Sequence, residues 1–244
     1  MKRIVVATMT CDFKAYSLEQ VVKRLVELEA PAGIEKLVYV NIETSPDNLD
    51  AMRGYEFVRD LGLSYDVWAQ VSSWRAERAG DQDQGYRLPP IVMARNMARE
   101  FAILSGAAAI MYVDSDVLVP VNALPALWCV DRPIVGGLVP GRGAHSHVNY
   151  LGSGKSLEAV SPNLVKTDYA TAGFVMIRRA VFQVVPWRWG GTVENPDLPH
   201  SEDPLFGYDA RRAGFDWWYV RTDVKAEHLD NPDRPLRPDG AAKF

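Results

Sequence analysis

Residues 107–118 read AAAIMYVDSDVL, an unbroken apolar run that ends on two carboxylates, Asp114 and Asp116. A run of this kind, without polar alternation, reads as a strand covered on both faces, the inner strand of an α/β sheet. It has to leave the interior at Asp114, because an unpaired buried carboxylate is costly and two neighbouring ones repel each other. The pair therefore stands at the carboxyl end of the strand, either by accident of a turn or around a cation.

The rest of the chain agrees with such a sheet. Strand-like runs at 3–10 (RIVVATMT), 36–43 (KLVYVNIE) and 64–71 (SYDVWAQV) come before it. The stretch 17–28 (SLEQVVKRLVEL) has the apolar spacing of an amphipathic helix opened by Ser17. A second helix is predicted over PPIVMARNMAREFAILSG, with Pro90 in its first turn and Gly106 as its C-cap. Its expected buried stripe is Ile91, Ala94, Met97, Ala98, Phe101 and Leu104. Farther on, YATAGFVMIRRAVF (169–182) reads as a strand running into a short helix. SEDPLFGYDARRAG follows as a helix behind Ser201, and FDWWYVRTDVKAEHL as a last strand. The polar stretch 72–87 reads as a mobile surface loop of the kind that covers substrate sites. Alternation of this kind predicts a Rossmann-like, mostly parallel central sheet flanked by helices, which takes ligands at the carboxyl ends of its strands.

The 244 residues fit one domain over 1–230 with a Pro/Asp-rich tail at 231–244, expected on the surface or flexible. A net charge of −4 gives no general attraction to nucleic acid or anionic membrane, although Arg178/Arg179 and Arg211/Arg212 come as pairs. Cys11 and Cys129 match no metal spacing and read as reduced thiols of a cytoplasmic protein. No run approaches the roughly 18 apolar residues of a membrane-spanning helix.

Several local patterns point elsewhere and fail on detail. GSGKS (152–156) lacks the first glycine of a phosphate loop, having Asn149 there, and Pro162 leaves little room for the helix that must follow. His145 and His147 form a pair without a third ligand. VDSDVL approaches the nucleophile motif of haloacid-dehalogenase-type phosphatases, but that motif normally ends the first strand, and three strands come before this one. Leu118 also replaces the usual threonine or valine. Sugar-nucleotide pyrophosphorylases carry a Gly-rich loop after the first strand, whereas ATMTCDFKAYS has no glycine.

Three segments taken in order are more specific: ARNMAREFAILSGAAAIMYVDSD (94–116), DYATAGFVMIRRAVF (168–182) and SEDPLFGYDARRAGFDWWYVRTDVKAEHL (201–229). Together they resemble nucleotide-sugar-dependent glycosyltransferases of the GT-A fold, in particular family 2 and its relatives. The resemblance implies a nucleotide-binding half over 1–119 and a smaller acceptor-side region over 120–230. It implies a sugar moved from a nucleotide-diphosphate donor to a hydroxyl acceptor, a carbohydrate or small molecule. A divalent cation, Mn2+ or Mg2+, would offset the charge on the diphosphate.

In that reading Asp116 is a direct metal ligand and His228 a second one. Asp114 binds the metal through water or contacts the ribose. Thr8, Thr10, Asn41, Glu43, Arg95, Asp114, Ser115 and Gly173 line the nucleotide and donor sugar, Gly173 by letting the sugar approach the backbone. Asp203, beside Glu202 at a helix start that favours carboxylates, is the general base toward the acceptor. Trp187, Trp189 and Trp218 are acceptor candidates, since indole faces suit sugar C–H faces. At least one of Trp217 and Trp218 is expected in the core, because neighbours in a strand point opposite ways. Two other readings stay open: a non-catalytic sugar or nucleotide binder of the same fold, and a transferase acting on a modified nucleic-acid base.

Overall fold

The computed structural model describes residues 1–11, 15–43, 55–60, 67–72, 88–140, 158–190, 202–216 and 218–229. The loop expected over 72–87 lies outside these residues except for Ser72, as do GSGKS, both loop histidines, Ser201, Trp217 and the tail.

The first half builds the ligand edge. Strands β1 (Lys2–Cys11), β2 (Ile34–Glu43) and β3 (Val67–Ser72) pair in parallel, joined by helix α1 (Ala15–Glu27) and a helical stretch, α2, described over 55–60. Helix α3 (Leu88–Leu104) then returns the chain to the other side of β1, where β4 (Ala109–Asp114) adds in parallel. Progression along the sheet thus reverses between β1 and β4. The carboxyl ends of two strands flanking such a reversal are where open α/β sheets take their ligands.

The second half continues the sheet. It contains β5 (Val117–Leu118), α4 (Ala123–Trp128), β6 (Ile134–Leu138), the hairpin β7 (Glu158–Ser161) and β8 (Leu164–Thr167), and β9 (Phe174–Arg178). Helices α5 (Arg179–Phe182) and α6 (Glu202–Arg212) and strands β10 (Trp218–Lys225) and β11 (Glu227–His228) complete it. The strand order is β3-β2-β1-β4-β9-β6-β10-β8-β7. β9 is antiparallel to both β4 and β6, while β6 and β10 are parallel, so β6 and β10 run with β1 to β4. A separate two-stranded ladder joins β11 to β5.

Apolar side chains fill both faces. On one, Leu18, Val21, Val22 and Leu25 of α1 and Leu124 and Leu127 of α4 cover Ile4, Val6, Met111 and Val113. On the other, Val92, Ala94, Ala98 and Ala102 of α3, with Phe182 and Phe206, cover Val5, Ala7, Ile110 and Tyr112. The small residues of α3 let it lie close to the sheet, and this shifts the expected stripe. Leu104 is 85% exposed, and Val92 and Ala102 take the inward positions. Gly106 ends α3 at φ 72°, and the following N–H, of Ala107, bonds back to the Ala102 carbonyl at 2.9 Å.

Candidate active site

The DSD segment leaves β4 at the expected edge and is fixed there by backbone contacts. The Asp114 N–H donates to Gly173 O at 2.9 Å and the Leu229 N–H to Asp116 O at 2.8 Å. The Ser17 hydroxyl donates to Ser115 O at 2.6 Å. Ser17 lies inside α1, which begins at Ala15, so its hydroxyl anchors the DSD turn and does not open the helix. Tyr16 adds a contact to the far end of the chain, its hydroxyl donating to Leu229 O at 3.2 Å. Neither residue carries a sequence signal for this role.

Asp116 is buried, its side chain 1% exposed, and Oδ2 lies 3.6 Å from Nε2 of His228. The β11–β5 ladder brings them together by setting His228 opposite Val117. Nδ1 of His228 lies 2.9 Å from the Pro140 carbonyl, which can only accept, so Nδ1 carries the proton. In the neutral ring Nε2 then presents its lone pair toward a carboxylate oxygen. Two acceptors facing each other, one hard oxygen and one imidazole nitrogen, suit a divalent cation such as Mn2+. Among the described residues no group of three or more His, Cys, Asp and Glu side chains is arranged to hold a metal ion. Asp114, expected on the metal as well, has Oδ1 3.4 Å from the Arg95 guanidinium.

Arg95 is the centre of the second cluster. It is 2% exposed, and Nη1 donates to Glu202 Oε1 and Asp203 Oδ1, each at 3.0 Å, while Nη2 faces Asp114. Its guanidinium lies over the Trp187 ring, 4.7 Å from the centroid. Its backbone carbonyl accepts from the Tyr112 hydroxyl at 3.1 Å. Burial works against this charge, but Glu202, Asp203 and Asp114 outweigh it and hold the guanidinium above its usual range. In Asp203 burial wins instead, and the charged form is disfavoured. Burial chiefly, with Glu202 and Asp114 adding, raises the carboxyl to about 7 against the pull of Arg95 and of a hydrogen bond from the Ala172 N–H.

The other candidates divide. Thr8 and Thr10 are buried near the end of β1, opposite Val40 and Ile42 of β2, and the Thr8 hydroxyl has no hydrogen-bond partner among the described residues. Asn41 is buried with Nδ2 3.8 Å from Met97 Sδ, and Glu43 ends β2. The space above Gly173 is taken by the protein: a Cβ there would sit 3.0 Å from Asp114 Oδ2 and 3.2 Å from Thr171 Oγ1. That glycine therefore makes room for Asp114 first. Trp187 and Trp218 do not face solvent as acceptor platforms would, being 3% and 1% exposed. Trp187 stacks on Phe206 at 4.1 Å, and Phe206 meets Trp218 edge-on at 6.1 Å. Trp189 is 44% exposed. The Arg178 end of β9 lies at the edge opposite the DSD turn, because antiparallel β9 sets Arg178 against Ala109. Arg178 bonds the Trp128 carbonyl, Arg179 that of Ala107 and Arg211 that of Asp168, which uses three of the four paired arginines within the fold.

No family model matches the chain, and no curated protein matches it significantly. Solved structures do. TarS residues 1–349 from S. aureus superpose with a TM-score of 0.59 at 17% identity, covering 94% of this chain and 60% of that one. GalNAc-T7 with UDP, GalNAc and Mn2+ gives 0.60 at 12% identity, covering 95% and 44%. The mannosyltransferase PcManGT from Pyrobaculum calidifontis, with GDP-Man and Mn2+, gives 0.55 at 16% identity, covering 94% and 57%. The chain thus has the GT-A fold, and it spans less than two thirds of the length of each of these three. No helix among the described residues is long and apolar enough to cross a membrane.

Proposed function

We propose that the protein is a metal-dependent glycosyltransferase that moves a sugar from a nucleotide-diphosphate sugar to a hydroxyl of a carbohydrate or small-molecule acceptor. One observation carries this reading: a single guanidinium, that of Arg95, reaches both the DSD carboxylate Asp114 and the helix-start carboxylate Asp203. A donor-side and an acceptor-side group are thereby within one side chain's span, as transfer between two substrates requires. The neighbours that carry UDP or GDP-Man with Mn2+ support the choice of donor and metal.

Asp116 and His228 would hold the divalent cation, which offsets charge on the departing diphosphate. Asp203, at about 7, is poised to accept the acceptor hydroxyl's proton near neutral pH while that oxygen attacks the anomeric carbon. Asp114, at the end of β4, and Thr8 and Thr10, near the end of the adjoining β1, are the groups assigned to the nucleoside. A net charge of −4 gives no general attraction to a nucleic-acid acceptor, and Arg178, Arg179 and Arg211 each have a donor engaged by a backbone carbonyl. Calorimetry with a panel of UDP- and GDP-sugars in Mn2+ tests the reading. Saturable heat with at least one donor is expected, and none with any donor would sink it.

A further inference from the structure

Arg95 is placed to do more than balance charge. Its fork divides between two ends of the site: Nη2 faces Asp114 at the end of β4, and Nη1 holds Glu202 and Asp203 at the start of α6. The guanidinium is itself fixed by the Trp187 ring beneath it, and the helix that bears it by the Tyr112 hydroxyl. Trp187 is in turn tied to α3 by a reciprocal pair of hydrogen bonds. Asn96 Nδ2 donates to Trp187 O at 2.9 Å, and the Trp187 N–H donates to Asn96 Oδ1 at 3.0 Å. A guanidinium so held cannot follow one carboxylate without loosening another, because its donors keep a fixed planar geometry.

We propose that Arg95 is a positioning residue that couples the donor site to the acceptor base, so that what engages Asp114 alters how Asp203 is held, and the reverse. This rests on the donor reading above. The contact to Asp114, at 3.4 Å, is the longest of the three and the one a nucleotide would compete for. Linkage is reciprocal: if Asp114 affects the hold on Asp203, the charge on Asp203 must affect nucleotide affinity at Asp114. Removing that charge leaves Glu202 as the charged partner of Nη1, weakens the pull toward α6 and draws Arg95 toward Asp114, which then serves the nucleotide less well. Plain electrostatics gives the opposite sign, because loss of a negative charge favours an anionic ligand.

A double-mutant cycle on binding, without any acceptor, separates the two. Dissociation constants for UDP and GDP in Mn2+ are measured by calorimetry at about pH 8, where the Asp203 carboxyl is ionised, on wild type, Asp203→Asn, Arg95→Met and the double variant. Asp203→Asn is expected to weaken binding about threefold to tenfold when Arg95 is present and to have no such effect in the Arg95→Met background. If Arg95→Met fails to fold, Arg95→Lys keeps the charge without the fork and replaces it in the cycle under the same criterion. Tighter or unchanged binding in Asp203→Asn, or an equal change in both backgrounds, overturns the coupling. Absence of UDP and GDP binding to the wild type removes the donor reading and the coupling with it, a result distinct from a wild type that binds while the cycle shows no coupling.

Discussion

Asp203 carries the clearest consequence at the level of single residues. As a base it must be ionised, so turnover is expected to rise with pH through about 7 and level off above it. Asp203→Asn should lower the rate by about 10²–10⁴ and remove that rise, which a pH–rate profile checks. Stability runs the other way. The folded carboxyl sits above its ordinary value of 3.8, so its contribution is full below about pH 4 and is lost as pH rises through 7. The melting temperature of Asp203→Asn relative to wild type should therefore climb between about pH 4 and pH 7 and level off above, and an unchanged difference would contradict the burial argument. His228 makes a second case. Its replacement by Ala leaves Asp116 as the sole donor of the pair, and Mn2+ affinity in the presence of nucleotide should fall at least about tenfold with the melting temperature little changed. A titration giving equal affinity would exclude His228 from the metal.

Among the elements, those with strong periodicity are readable and those made by tertiary context are not. The spacing of α1 and the unbroken run of β4 locate both to within a few residues, since each buries its own apolar face whatever lies around it. The hairpin β7–β8 gives no signal, because β7 is short and exposed throughout. Helix α4 is hidden in a stretch of only six residues. The end of α1 also depends on a distant group. Lys36 Nζ donates to the carbonyls of Leu25, Val26 and Leu28, at 3.0, 2.5 and 2.7 Å, where the helix leaves its last acceptors unpaired. Lys36→Met should cost about 1–3 kcal/mol in denaturant unfolding, while an unchanged midpoint would mean water replaces the lysine without loss.

For the molecule as a whole, the sequence places the carboxylates at the ligand edge but does not say how they are shared. Asp114, Asp116 and Asp203 are each legible from a motif or a helix start. That Asp114 turns to Arg95 and Asp116 to His228 depends on α3, α6 and β11 meeting around β4, which no local pattern records. The same holds for Trp187 and Trp218, whose chemistry suits a sugar platform and whose packing makes them core.

The ladder that delivers His228 is only two residues long, and its neighbour Leu229 is tied to Tyr16, 213 positions away in sequence. A ladder of two residues is the kind of contact that opens locally before a fold does. The expected consequence is that β11 frays while the main sheet stays intact, parting His228 from Asp116 without global unfolding. Hydrogen exchange should find the Leu229 amide less protected than the Val113 amide, and nucleotide with Mn2+ should slow the former selectively. The donor pair would then open and close on a clock of its own, faster than the protein unfolds.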